Sequence, residues 1–344
     1  MSGLDFFADL VTTGTILGLD HTSTLEEVEA VFGAGPVDEE PHRMRHDFGL
    51  VEFSWFRRRT HDDWTCSLIG AQPHRLPDLA GEIDPALAGR YGAFPPRLDL
   101  DDLSRAVEAR GFTLTQQPRL NLDRVEYREP TTGVEVQAIP ESGRVVGLHA
   151  SGIRPVHFAR GEMRRFRGWS DYLMTLRRPG MTVWLRKREP DTEPDRTEWW
   201  TRLRRAISHR TGGTPEEAAA WMRLGLTLDE LALERGIDSP DEAALTMITK
   251  LDEAEQKGLD GAGWLPTADE AVARWLAASP AIDEARRVSG DWAALTPGEI
   301  RLARRLRNQI HILRSALPLL TSADLATEVR TWDDLKPTLL RPGA

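Results

Sequence analysis

The chain has 344 residues, of which 40% are hydrophobic and 28% charged, and it carries a formal net charge of −10. At roughly 150 residues per domain this length indicates about two domains of a soluble globular protein. No apolar run approaches the ~20 residues of a membrane span, which excludes a helical integral membrane protein. The single cysteine, Cys66, excludes an internal disulfide and a cysteine-rich zinc site.

The N-terminus, MSGLDFFADL, has two aspartates and no basic residue before its apolar residues. A secretory signal needs a basic start and a longer apolar stretch, so we expect a cytoplasmic protein.

The negative charge is concentrated in the first part of the chain. Residues 1–150 contain 14 Arg, no Lys and 25 acidic residues, whereas residues 151–344 contain 26 Arg and 4 Lys against 29 acidic residues. The excess of Arg over Lys is typical of a GC-rich coding sequence. The acidic region disfavours phosphate-backbone binding there and suits a basic protein partner, with ordinary acidic solubility as the alternative explanation.

The first predicted unit runs from Leu17 to about Leu76. Ser23 or Thr24 precedes a helix whose apolar residues recur on one face until Gly33 ends it. Two β-like runs, Phe48–Phe56 and Trp64–Ile69, flank a polar turn and predict an antiparallel hairpin.

A second unit follows the proline-rich break at residues 94–96. It contains a predicted helix, Leu98–Arg110, and three short strands, Val125–Glu129, Val134–Ile139 and Val145–His149. A helix followed by strands thus occurs twice, the pattern of a structural duplication, although identity between the halves is negligible. The predicted fold class is α+β, with helices packed on an antiparallel sheet.

Residues 151–195 form a predicted connecting segment that is first basic and then acidic and proline-containing. Within it we predict a short helix at Trp169–Leu176, a strand at Met181–Leu185 and a linker at Glu189–Asp195. Residues 196–344 form a mostly helical third part. Its predicted helices are Trp199–His209, Thr214–Leu224, Leu228–Arg235, Pro240–Lys257, Ala268–Ala278, Pro297–Leu317 and Ala323–Val329.

No motif in the sequence identifies a catalytic, cofactor or metal site. His42 and His46 are four residues apart, with His21 and His61 nearby, but no glutamate occupies the position that a zinc-protease helix requires. We therefore predict exposed loop histidines. Phosphate-loop, dinucleotide and Gly-x-Ser-x-Gly motifs are missing, and Cys66 in a strand is expected to be a small core residue.

The segment Arg154–Arg188 holds 10 basic residues against two acids, and aromatic residues interleave with its arginines. This pattern is typical of single-stranded nucleic-acid binding. Our preferred interpretation is that the aromatic residues are core and the arginines pair with the acidic first domain. The nucleic-acid hypothesis would use Arg164, Arg165, Arg167, Trp169, Arg177 and Arg178.

The residues Leu228–Gly236, followed by a helix from Pro240, resemble the start of a helix-turn-helix. The second helix begins Pro-Asp-Glu, and its two acids would face phosphates. An ordinary αα-hairpin is therefore the favoured prediction.

Three stretches carry a family resemblance: Thr15–Leu19, the helix Ser23–Phe32, and Arg45–Phe53, which reads RHDFGLVEF. They resemble uncharacterised actinobacterial proteins of the form ILGLPLGS…VEAVLG…RRDYGLLEFSF. Such proteins are associated with polymorphic-toxin and contact-competition gene neighbourhoods, where small acidic α+β domains look like immunity proteins. The resemblance covers residues 14–76, departs from the pattern at Asp20-His21, and implies no catalytic residues.

We therefore expect a non-enzymatic intracellular protein that binds a protein partner, of the immunity type that inhibits a basic, nuclease-like toxin. The expected acidic contact residues are Asp38, Glu39, Glu40, Asp47, Asp62 and Asp63, with Phe56 and Trp64 as aromatic anchors. The alternatives are a nucleic-acid-associated regulator and an enzyme whose site assembles at a domain junction.

Overall fold

The computed structural model describes residues 1–57, 63–79, 83–117, 123–151, 161–208, 214–256, 258–259 and 263–341. The chain divides into two compact units. Unit 1 comprises Met1–Arg154, Ile282–Asn308 and Asp334–Ala344, and unit 2 comprises Pro155–Ala281 and Gln309–Asp333. The domain boundaries at residues 150 and 195 stay a prediction. Among the described residues, no helix is long and apolar enough to cross a membrane.

Unit 1 is built on one antiparallel sheet. Among the described residues the sheet has eight strands: β1 (Val37–Glu40), β2 (Arg43–Asp47), β3 (Val51–Phe56), β4 (Thr65–Ala71), β5 (Thr115–Gln116), β6 (Val125–Arg128), β7 (Glu135–Ala138) and β8 (Val145–Ser151). Their spatial order is β1-β2-β3-β4-β8-β7-β6-β5. The helices of this part are α1 (Gly3–Thr13), α2 (Leu25–Phe32), α3 (Pro85–Tyr91) and α4 (Leu100–Glu108).

The sheet consists of two similar halves. α2 precedes the meander β1–β4, and α4 precedes the meander β5–β8. The last strands of the two meanders pair with each other, so that Ile69 lies opposite Ala150. The predicted α+β class is confirmed, and the repeated helix-and-strand pattern is present in the topology.

Several elements differ from the sequence-based expectations. β1, β2 and β5 and the helices α1 and α3 were not predicted. β1 is an edge strand whose four residues are all exposed, so it lacks the apolar alternation that identifies a strand. β2 does alternate, with Met44 and His46 buried, and the expectation of exposed loop histidines is wrong for His46.

α1 is buried on almost every side. A reciprocal capping box between Ser2 and Asp5 starts it, and nine of its eleven residues are buried. Phe6 packs edge-to-face against Phe7, Tyr91 and Phe94 at centroid distances of 5.0–5.6 Å. α1 is therefore a core helix of unit 1, packed against α3 and α4.

The later segments of unit 1 contain α11 (Ile282–Arg287) and the first turns of α12 (Pro297–Ser315). Two arginines of α12 are buried. Arg304 donates to the carbonyl oxygen of Thr13 at 2.7 Å and to that of Thr132. Because Thr13 ends α1, its carbonyl has no partner within the helix, and the guanidinium satisfies it.

The second buried arginine, Arg307, forms the most enclosed ion pair described in unit 1. Its Nε lies 2.9 Å from the Asp20 carboxylate, with 5% and 1% of the two side chains exposed. It also donates to the carbonyl of Leu339 at 2.9 Å, and Lys336 Nζ donates to the carbonyl of Thr22 at 2.6 Å. Burial alone would raise the pKa of Asp20, but Arg307 and neighbouring donors hold it far below its usual value.

Unit 2 is helical in its described part. It contains α5 (Glu162–Leu173), α6 (Arg178–Arg186), α7 (Asp195–Ser208), α8 (Pro215–Glu234), α9 (Pro240–Gln256), α10 (Ala268–Ala278), the end of α12 and most of α13 (Ala323–Leu335). Its core includes Trp200, Leu203 and Leu228, each fully buried.

Two predictions fail in unit 2. The strand expected at Met181–Leu185 is part of α6, and the two helices expected between Thr214 and Arg235 are one continuous helix, α8. In both cases tertiary packing overrides the local sequence signal. The segment predicted as a linker, Glu189–Asp195, is irregular up to residue 194, and Glu189 within it pairs with Arg235 and accepts a hydrogen bond from Trp200 Nε1 at 3.0 Å.

Replacing Gly14 by alanine should destabilise unit 1 more than the same change at Gly133. Both glycines have positive φ, 68° and 70°, so alanine costs about 1–2 kcal/mol of backbone strain at either. A Cβ at Gly14 would additionally lie 1.4 Å from Arg304 Nη1, whereas nothing lies within 4 Å at Gly133. Urea denaturation should show about 2 kcal/mol more loss for Gly14→Ala; equal losses would contradict the Arg304 contact.

Asp20→Asn should lower the free energy of unfolding by about 3–5 kcal/mol at pH 7, because it leaves Arg307 buried without its counter-charge. Since the folded-state pKa of Asp20 is depressed, its stabilisation is complete above about pH 4 and declines as the pH falls below that value. Denaturation curves at several pH values should therefore show the free energies of unfolding of the variant and the wild type converging in acid.

As a control, Asp283→Asn breaks an exposed pair with Arg286 and should lower the free energy of unfolding by at most about 0.5 kcal/mol. A difference that is unchanged or larger below pH 4 would refute this role of Asp20.

Candidate functional site

The expected acidic residues Asp38, Glu39 and Glu40 form most of β1, the edge strand of the sheet. All four residues of β1 are exposed, including Val37 at 49%. β1 and β2 form a tight hairpin, because Glu40 lies opposite Arg43 with two residues between them. Three consecutive carboxylates therefore stand on one of the two edge strands of the described sheet.

A groove of about 540 Å³ runs beside this edge, on the face of β1–β4. The sheet register places Asp38, Arg45, Ser54 and Leu68 in one row across four strands. The groove is lined by these four residues together with Glu40, Arg43, Met44, Trp55, Phe56 and Ser67. Three of the predicted contact residues, Asp38, Glu40 and Phe56, thus meet in one groove.

Two arginines of β2 enter this groove, and sequence reasoning did not assign them to it. Arg45 Nη2 lies 3.9 Å from Asp38 Oδ2, with 48% and 74% of the two side chains exposed, so the pair contributes little stability. The signal that identifies them is the alternation Asp38-x-Glu40 followed across a two-residue turn by Arg43-x-Arg45, which puts both pairs on one face.

The aromatic anchors differ in how they are held. Phe56 is 43% exposed at the end of β3, with its side chain in the groove. Trp64 is partly buried, and the guanidinium of Arg57 lies 3.9 Å from its ring centroid. Arg57 also binds Glu39 at 3.2 Å and donates to the carbonyl of Pro41 at 2.9 Å. Trp64 and Glu39 are therefore fixed by the same cation.

Among the other predicted acids that the structure describes, Glu39, Asp47 and Asp63 do not line the groove. Asp47 pairs with Arg75 at 2.8 Å and accepts the backbone N–H of Gly49 at 3.0 Å, which stabilises the turn after β2. Asp63 is exposed beside Trp64. Asp62 lies outside the described residues, as does His61.

Neither Cys66 nor the histidines form a described reactive or metal site. Cys66 is buried in β4, and burial, with the charge of Asp20 as a smaller cause, raises the pKa of its thiol. His46 is buried against Phe48, and burial lowers its pKa. In the described ranges, no group of three or more His, Cys, Asp or Glu side chains is placed to hold a metal ion.

Phe166, Trp169 and Trp184 of the basic segment pack in the core of unit 2, as expected, whereas Tyr172 is 50% exposed. Trp169, on α5, packs against Phe166 at 4.8 Å and Trp184 at 5.8 Å between centroids. Its ring is therefore engaged internally rather than presented as a stacking platform.

Two arginines of this segment, Arg165 and Arg178, have partners other than those we expected. We predicted partners in the acidic first domain, but Arg178 binds Glu230 and Glu234 of α8, and Arg165 binds Glu162 at 3.3 Å. These described partners all lie in unit 2. The side chains of Arg164, Arg167 and Arg177 are exposed.

The helix-turn-helix resemblance resolves as an αα-hairpin of α8 and α9. At the start of α9, Asp241 is buried and accepts a hydrogen bond from Gln309 at 2.7 Å, and Glu242 accepts from the backbone of Ser239 at 3.1 Å. The first turn of α9 thus carries one buried and one hydrogen-bonded carboxylate and no basic or amide side chain, which is unfavourable for base reading.

A scan against protein-family models and searches of curated proteins and of solved structures find no match to this chain. The groove beside β1 is consequently interpreted from its own geometry and charge.

Proposed function

We propose that this protein acts by binding a basic protein partner at the β1 edge and its groove, as an immunity-type inhibitor of a nuclease-like toxin. The observation that carries the proposal is the run Asp38–Glu40, exposed on an edge strand directly beside a groove that contains the exposed Phe56. An edge strand offers unpaired backbone groups to an added strand, and its side chains select which strand is accepted.

The charges on β1 favour a cationic partner and disfavour a second copy of the chain. Two β1 strands brought edge to edge would place carboxylates against carboxylates, which is destabilising. A partner strand or loop rich in Lys or Arg would instead place cations against these carboxylates, which is stabilising. Because the pair Asp38–Arg45 is long and exposed, its carboxylate is readily shared with a partner's cation.

Long-range electrostatics support the same choice of partner. Unit 1 contains 23 basic and 30 acidic residues, a formal charge of −7, even after the arginines of α12 are included. A field of this sign raises the association rate of a cationic protein and makes that rate sensitive to salt.

Apolar contacts supply the short-range part of the interface. Val37 and Phe56 are 49% and 43% exposed, and Phe56 lines the groove. Trp64 is already held by Arg57, so it loses little side-chain entropy on binding. Aromatic side chains beside a charged rim are typical centres of protein interfaces.

Reversing charge in the double variant Asp38→Lys/Glu40→Lys should reduce the association rate with the basic partner about tenfold or more at low salt. The partner is first captured on the tagged wild-type chain from its native lysate, eluted with salt and identified by mass spectrometry. Purified partner and chain are then compared by surface-based kinetics over a range of salt concentrations, together with inhibition of any nuclease activity of the partner.

The matched control is Glu108→Lys/Glu141→Lys, which changes the net charge equally at two exposed positions away from the groove. We expect it to retain most of the association rate. Equal effects of the two double variants would remove the groove from the proposal, and failure to retain any basic protein would remove the proposal itself. Retention of nuclease-sensitive RNA or DNA would instead favour the regulator hypothesis and its exposed arginines on α5 and α6.

A further inference from the structure

Unit 2 contains a groove of about 880 Å³ that no part of the proposed function uses. Its walls are α8, α9 and α10, and the segment Trp264–Pro266 closes one side. The α8 residues that line it, Arg223, Thr227, Glu230 and Leu233 among them, recur every three or four positions and therefore occupy one helix face. The volume lies in the range of about 300–1,000 Å³ that is typical of small-molecule sites.

The interior of this groove is apolar and open because its walls carry small side chains. Ala243 and Ala244 line it from α9, and Ala277 and Ala278 line it from α10. Larger apolar groups complete the lining, among them Leu226, Met247 and Trp264. An elongated hydrocarbon body therefore fits the shape and chemistry of the groove.

The acidic residues of the lining are already satisfied within unit 2. Asp229 is buried and paired with Lys250, and Glu230 is paired with Arg178. Glu270 accepts the backbone N–H of Thr267 at 3.0 Å in the capping box that starts α10. These carboxylates have little capacity left for a ligand.

The two arginines of the lining, Arg223 and Arg274, differ from these carboxylates in their pairing. Within the described part of the chain, neither Arg223 nor Arg274 is paired with a carboxylate, and both are exposed. The Arg223 guanidinium lies 4.7 Å from the ring centroid of Trp264, which holds its cation over the side of the groove. Two arginines thus stand against one lining carboxylate without a described cationic partner, Glu270, and the groove keeps a net positive charge.

We propose that this groove binds an amphipathic anion, a molecule with a flexible hydrocarbon body and one carboxylate head. The body would replace water along the alanine-rich walls, and the head would take charge-assisted hydrogen bonds from Arg223 or Arg274. A neutral or cationic head on the same body lacks these bonds and is disfavoured by the two guanidiniums. This site is independent of the β1 edge, which lies in unit 1.

Binding is tested with the full chain and three probes of equal chain length: dodecanoate and dodecyltrimethylammonium, each below its micelle-forming concentration, and dodecanol below its solubility limit. Titration calorimetry measures the dissociation constant. Tryptophan fluorescence is measured in parallel, and the part of the fluorescence change that comes from Trp264 is the part that disappears in the variant Trp264→Phe. We expect saturable one-to-one binding of dodecanoate, about tenfold or more tighter than either other probe.

Two variants separate the role of charge from that of shape. Arg223→Gln/Arg274→Gln should weaken dodecanoate about tenfold or more and leave dodecanol unchanged. Ala277→Leu, at an exposed wall position, should weaken both probes by filling the groove. The control Arg164→Gln/Arg330→Gln removes two exposed arginines that do not line the groove and should bind dodecanoate like wild type.

Thermal unfolding of each variant verifies that it is folded. Equal affinity for the three probes, undiminished dodecanoate binding in the double arginine variant, or absence of dodecanoate binding would each overturn the proposal. Saturable binding of an amphipathic helical peptide in place of dodecanoate would overturn it as well. None of these outcomes tests the proposed interface at the β1 edge, because every residue substituted here lies in unit 2 and β1 lies in unit 1.

Discussion

The burial of Arg304, Arg307 and Lys336 is the constraint on which the structure of unit 1 depends. Charges removed from water require partners, and here one carboxylate, Asp20, and carbonyl oxygens from four separate places supply them. One of those carbonyls, Thr13, would otherwise be unpaired at the end of α1. The same contacts bring three distant stretches of the chain into one compact unit, and within the described residues Asp20 is the carboxylate that these buried cations pair with.

Local signals in the sequence were sufficient for much of the fold. Thr24 caps α2 in a reciprocal box with Glu27, and the hairpin of β3 and β4 forms with Phe53 opposite Ile69. What the sequence does not reveal depends on distant partners. Nothing local marks Arg304 as buried, and α6 is a helix although Val183–Leu185 has β-forming character, because Trp184 and Leu185 pack into the core of unit 2.

The residues of the candidate site also divide into those that local sequence signals predict and those that depend on distant partners. Asp38, Glu40 and Phe56 were predicted from charge and from the end of a hairpin, and the pairing of β1 with β2 brings them together. The arginine neighbours were missed because they needed the register, and Asp47 turned out to be tied to Arg75. The groove of unit 2 was out of reach of local reasoning, since its walls come from three helices and its charge depends on which side chains are already paired.

Hydrogen exchange of the full chain, read by mass spectrometry, tests most directly whether the buried cations join unit 1 into one structure. If they do, amides at residues 13–22, 300–308 and 336–340 should open with nearly the same free energy as those of β3 and β4. Fast exchange at residues 336–340 or 300–308 with β3 and β4 still protected would contradict the account. It would mean that the sheet is stable without the arginines of α12 and the C-terminal segment.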